Sequence, residues 1–87
     1  MDLDQLLFRF FGTEDIATLD PERLTIGIED LRVEFGLERD RGRRFALWAL
    51  LHLLGAAPDL DVAFKNEADR DAARDFMDMA DREADPG

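Results

Sequence analysis

Residues 40–55 read DRGRRFALWALLHLLG. From Phe45 to Leu54 every side chain except His52 is apolar. At about 100° of rotation per residue, such a run is greasy on nearly its whole circumference, which predicts a helix buried on all sides rather than an amphipathic surface helix. It is half the length of the roughly 20 residues that a membrane span requires. Asp40 stands where an N-cap belongs and Gly55 where a left-handed C-cap belongs. A central helix over about 41–54 therefore needs other helices around it.

The flanking sequence supplies them. Upstream, Asp20-Pro21-Glu22 places a capping Asp, a proline at the first helical position and an acid in the first turn. Leu19 and Leu24 form a hydrophobic staple there. The stripe Leu24, Ile28, Leu31 and Phe35 follows at steps of four, three and four, with Gly36 read as the C-cap and Leu37 as its hydrophobic closure. Ile26, Ile28 and Val33 favour strands, but no period-two alternation is sustained and the caps outweigh propensity. Further upstream, Asp2 and Gln5 resemble a capping box, Leu3, Leu6, Leu7, Phe10 and Phe11 recur at helical spacing, and Gly12 ends the segment. Thr13 is read as capping a turn or two through Ile16 and Leu19. Downstream, Pro58 breaks the pattern and Asp59 opens a short turn through Leu60, Val62 and Phe64. Asn66 caps a last helix to about Ala84, with Ala72, Ala73, Phe76, Met77, Met79 and Ala80 toward the core. The expected architecture is all-α: one domain over residues 1–87, a compact bundle of four to five short helices around the central one, with a frayed tail at 85–87.

Composition narrows the function classes. The chain has 87 residues, thirteen Leu, seven Phe and one Trp, enough for one core and no second domain. Cysteine, serine and tyrosine are absent, which removes disulfides, thiolate chemistry and serine nucleophiles, and with them an acyl-carrier reading that would otherwise suit the size and acidity. A net charge of −10 repels nucleic acid and anionic membranes, so neither is expected as a partner. Ten of the eleven bases are Arg, as a GC-rich bacterial genome would give, and the acidic start at Asp2 and Asp4 lacks the character of a secretory signal, so a cytoplasmic protein is expected.

Four features could carry chemistry. Arg39, Arg41, Arg43 and Arg44 gather at the N-terminus of the central helix, where the helix dipole favours anions. They read either as a site for a small anion or acidic partner, or as ion pairs with Glu38, Asp40 and the acidic last helix, the second being the usual fate of surface Arg. His52, the sole histidine, has no charged residue within helical reach and reads as structural. The acids from Asp59 to Asp81 fail the spacing of a calcium loop and alternate with Arg70, Arg74 and Arg82 as a self-paired face, so no metal is expected. Finally, Leu7, Phe8 and Phe11 widen the apolar face of the first helix and suggest a surface for a homo-oligomer or protein partner. No phosphate loop or dinucleotide glycine pattern occurs. The expectation is a non-enzyme without cofactor: an interaction or self-associating module, or alternatively an anion-binding regulator built on the Arg cluster.

Overall fold

A computed structural model describes residues 3–84. Over these the chain forms α1 (Leu3–Phe11), a 3-10 turn (Ile16–Thr18), α2 (Pro21–Leu37), α3 (Arg41–Leu53), α4 (Leu60–Ala63) and α5 (Glu67–Ala84), with no strand among them. The sequence-based all-α bundle is the observed fold. Asp2 and the tail Asp85–Gly87 lie outside the described residues.

The start signals of α2 and α3 act as the sequence dictates. Asp20 accepts the backbone N–H of Arg23 at 2.8 Å, and Asp40 that of Arg43 at 2.8 Å. At the end of α3, Ala56 N–H reaches the Leu51 carbonyl at 2.9 Å and Gly55 N–H reaches that of His52 at 3.0 Å. That paired closure requires a left-handed residue, and Gly55 supplies it with φ of 73°. At the end of α1, Gly12 also has φ of 73°, with its N–H on the Phe8 carbonyl at 2.9 Å.

Burial is centred on α3, which packs against α1, α2 and α5. Leu47, Trp48, Ala49, Leu50 and Leu51 are all buried, so five consecutive positions face protein in every direction. The side not covered by a long helix is closed by Phe64, which follows α4. Its ring lies 5.6 Å from Trp48, 6.0 Å from Phe45 and 6.3 Å from Phe35 by centroid distance. Phe76 of α5 completes the cluster, edge-on to Phe45 at 6.2 Å and to Trp48 at 6.0 Å. Tilted and edge-to-face pairs of this kind add roughly 0.5–1.5 kcal/mol each beyond their buried area.

Several expectations are corrected. Gly36 does not end α2, which runs on to Leu37, and among the described residues only Gly12 and Gly55 have positive φ. The reversal into α3 is made instead by Glu38, which is extended and whose carboxylate accepts the Asp40 N–H at 3.2 Å. Leu37 therefore closes nothing and is 76 % exposed. Asp15, not Thr13, caps the 3-10 turn by accepting Ala17 N–H at 3.2 Å, while Thr13 accepts that of Asp15 at 3.1 Å. Asp59 makes no side-chain cap, although its carbonyl accepts the N–H groups of Val62 and Ala63. On α5, Ala73 is buried and Phe76, Met77 and Ala80 are half-buried, but Ala72 and Met79 are exposed. Those two lie seven residues apart on one azimuth, about 100° from the line through Ala73 and Ala80.

At Gly27, α2 and α1 approach each other closely. A Cβ placed there would lie 2.2 Å from Phe11 Cε1, itself buried, and 3.0 Å from the Phe10 carbonyl oxygen. Gly27→Ala should therefore lower stability by about 1–3 kcal/mol despite the better helix propensity of alanine. Adding Phe11→Leu should recover part of that loss in urea unfolding, and a more stable Gly27→Ala single variant would refute the contact.

Candidate functional site

The structure distributes the four arginines among different tasks. Arg43 turns back onto α2, donating Nε to Glu38 at 2.7 Å and lying 3.5 Å from Glu34. Glu34 also receives Arg9 of α1 at 2.8 Å, so one carboxylate ties α1, α2 and α3 together. Arg9's hydrogen bond is the largest influence on Glu34 and holds its carboxyl below the usual range. Arg44 lies over the aromatic cluster, its guanidinium 4.1 Å from the Phe35 ring centroid, and donates Nη1 to the Ala63 carbonyl. Stacking of this kind suits a weakly hydrated, planar cation.

Arg41 forks onto Asp69 of α5, Nε to Oδ2 at 3.2 Å and Nη2 to Oδ1 at 2.8 Å. This pair pins the starts of α3 and α5 together. Asp69 is held below its ordinary pKa chiefly by the Arg41 hydrogen bond, and Arg41 is raised by the reciprocal bond. Arg39 is exposed and has no ion-pair partner among the described residues.

Arg39, Arg41 and Arg44 share a cleft of about 410 Å³ with Val62, Lys65 and Asn66, its floor formed by Ala63 and Phe64 and its acids being Glu38 and Asp69. Four cations thus face two carboxylates. Lys65 carries no signal in the sequence, since it stands alone, 21 residues after Arg44, and nothing local links the two. What joins them is the burial of Phe64, which draws residues 62–66 against the start of α3. Arg43, the fourth member of the sequence cluster, does not line this cleft.

His52 lies flat on Trp48, centroids 5.4 Å apart and planes 13° off parallel, with Phe76 edge-on at 6.0 Å. It borders a separate cleft of about 370 Å³ with Asp59, Asp61 and Arg74, and among the described residues no carboxylate is hydrogen-bonded to the imidazole. The indole N–H of Trp48, a residue 1 % exposed, has no acceptor among the described residues. Among the described residues, no three His, Asp or Glu side chains gather as metal ligands, and no helix is long and apolar enough to cross a membrane.

The candidate interface residues of α1 separate as well. Phe11 is 2 % exposed against Gly27 and belongs to the core, Leu7 is half-buried against it, and only Phe8 stands out, at 54 %. Phe10 is half-buried beneath Arg9, whose guanidinium lies 5.5 Å from its ring. A larger apolar feature is on α2, where Ile26, Val33 and Leu37 are all exposed. Comparison with protein-family models, curated proteins and solved structures finds no match.

The ion pairs set an acid dependence. Asp69 and Glu34 titrate lower folded than unfolded, so their contribution is complete above the ordinary carboxylate range, about pH 4, and disappears as pH falls through the lower folded values. Stability measured by urea unfolding should drop from pH 5 toward about pH 2.5, and less steeply in Arg41→Gln. In that variant the Asp69 carboxyl should titrate higher by NMR, and an unchanged titration would rule out the pairing.

Proposed function

We propose that this chain is a non-catalytic interaction module whose outer α2 face receives one basic amphipathic helix of a partner protein. The reading rests on the azimuths of α2. Gly27, Leu31 and Phe35 face the core. Ile26, Val33 and Leu37 follow at steps of seven and four, which puts them within about 40° of one another on the opposite side. A stripe at i, i+7 and i+11 is the pattern by which one helix reads another, here spanning about 16 Å.

Charge selects the occupant. The stripe is bordered by Glu22, Glu29 and Asp30, with Arg23 as a base beside them and Arg9 already paired with Glu34, in a chain of net charge −10. A second copy would bring like charges together, whereas a helix with Lys or Arg beside its apolar stripe complements both the acids and the apolar line. Beside Val33 a groove of about 500 Å³, bordered by Arg9, Phe10, Asp30 and Glu34, gives a partner side chain somewhere to enter. The lack of serine, cysteine and tyrosine, and of any carboxylate on His52, supports a role without covalent or acid–base chemistry.

A fluorescein-labelled Leu/Lys amphipathic helical peptide is a suitable probe. Val33→Ser with Leu37→Ser leaves every charge in place and should weaken its binding by about tenfold or more, with melting temperature nearly unchanged because both side chains are exposed. Light scattering of the chain alone should give a monomer. Binding that responds to salt but not to the double substitution would mean simple charge attraction and would dismiss the stripe.

A further inference from the structure

We propose that the cleft between the starts of α3 and α5 binds a small, doubly charged organic anion, a phosphate monoester or a dicarboxylate, bearing a short apolar portion. This site is separate from the outer face of α2 and does not depend on its role. Three observations carry it.

The first is the charge count. Arg39, Arg41, Arg44 and Lys65 line the cleft against Glu38 and Asp69, four cations to two acids in a chain with 21 acids and 11 bases. Surplus acid is available throughout this molecule, so cations that lack it are those most in need of explanation. Arg39 and Lys65 have no ion-pair partner among the described residues, and both border this one cleft.

The second is donor geometry. A guanidinium carries five N–H donors. Arg41 spends Nε and one Nη2 hydrogen on Asp69, and Arg44 spends an Nη1 hydrogen on Ala63, so each keeps donors free. The Asp69 fork and the Phe35 ring hold the two side chains in place before any ligand arrives, which lowers the entropy lost on binding. Arg39 and Lys65 then act as mobile cations at the rim.

The third is size and lining. About 410 Å³ lies in the range of small-molecule sites and is too little for a folded partner. Val62, 72 % exposed, stands beside the cations as an apolar wall. A bare inorganic anion would leave that wall in water, whereas a phenyl or short alkyl group would cover it.

The test uses the full chain at constant ionic strength, with backbone NMR shifts of Arg41, Val62 and Asn66 followed during titration with phenyl phosphate, phenylsuccinate, benzoate and inorganic phosphate. Phenyl phosphate or phenylsuccinate should bind about tenfold or more tightly than benzoate and inorganic phosphate, and the better of the two identifies the headgroup. Arg39→Gln with Lys65→Gln, which leaves the Arg41–Asp69 and Arg44–Phe35 contacts intact, should cut that affinity by about tenfold or more. Arg23→Gln with Arg82→Gln, away from the cleft, should leave it unchanged. The proposal is overturned if no probe moves these resonances, if both double variants lose affinity alike, or if inorganic phosphate binds as tightly as the phenyl-bearing dianions.

Discussion

The fold depends on enclosing one turn of α3 on all sides. Leu47 to Leu51 present apolar surface in every direction, and three long helices close most of it but not all. The gap is filled by a single aromatic ring from a connecting segment, Phe64, set among Phe35, Phe45 and Trp48. Seating that ring fixes the path of residues 62–66. It brings the Ala63 carbonyl to Arg44, places Lys65 and Val62 beside Arg41, and sets where α5 begins. The basic cleft is thus a by-product of core closure, assembled from side chains that share no local sequence signal.

What was legible in the sequence divides along the same line. Helix starts and two helix ends are local events, decided within four residues by an Asp side chain or a glycine, and Asp20, Asp40, Gly12 and Gly55 act as their surroundings dictate. The buried run of α3 was equally plain, because its apolar circumference leaves no alternative. Gly36 misled because a glycine after an apolar stripe resembles a C-cap, while the deciding group, the Glu38 carboxylate, bonds forward to Asp40 and Arg43 in a pattern with no common signature. The fates of the arginines depended on distant partners: Asp69 for Arg41, Phe35 for Arg44, Glu34 for Arg43. Local reading could name the cluster but could not apportion it.

The outer face of α2 is a different kind of miss, since its signal was present. By propensity Ile26 and Val33 favour strands, but the informative fact is their seven-residue separation. Apolar side chains on both faces of α2 cannot all be buried unless a further layer covers it. With extents of 38 × 36 × 21 Å the bundle is shallow, about two helix layers deep, and offers no such layer. The exposed stripe follows from that geometry.

A strongly acidic chain that binds an organic anion looks contradictory until distances are considered. Charges in physiological salt are screened over roughly 8 Å, whereas the molecule is 38 Å across its longest axis. The acids of the outer α2 face and of the later turns of α5 therefore contribute little potential at the cleft, which Arg39, Arg41, Arg44 and Lys65 line. Lowering the salt lengthens the screening distance and lets those remote acids oppose the ligand, so anion affinity at the cleft gains less from dilution than a bare cation pocket would. The two faces also impose opposite charge requirements on their occupants. One bundle of 87 residues can hold both because the Arg9–Glu34–Arg43–Glu38 node, two cations and two carboxylates, neutralises the ground between α1, α2 and α3.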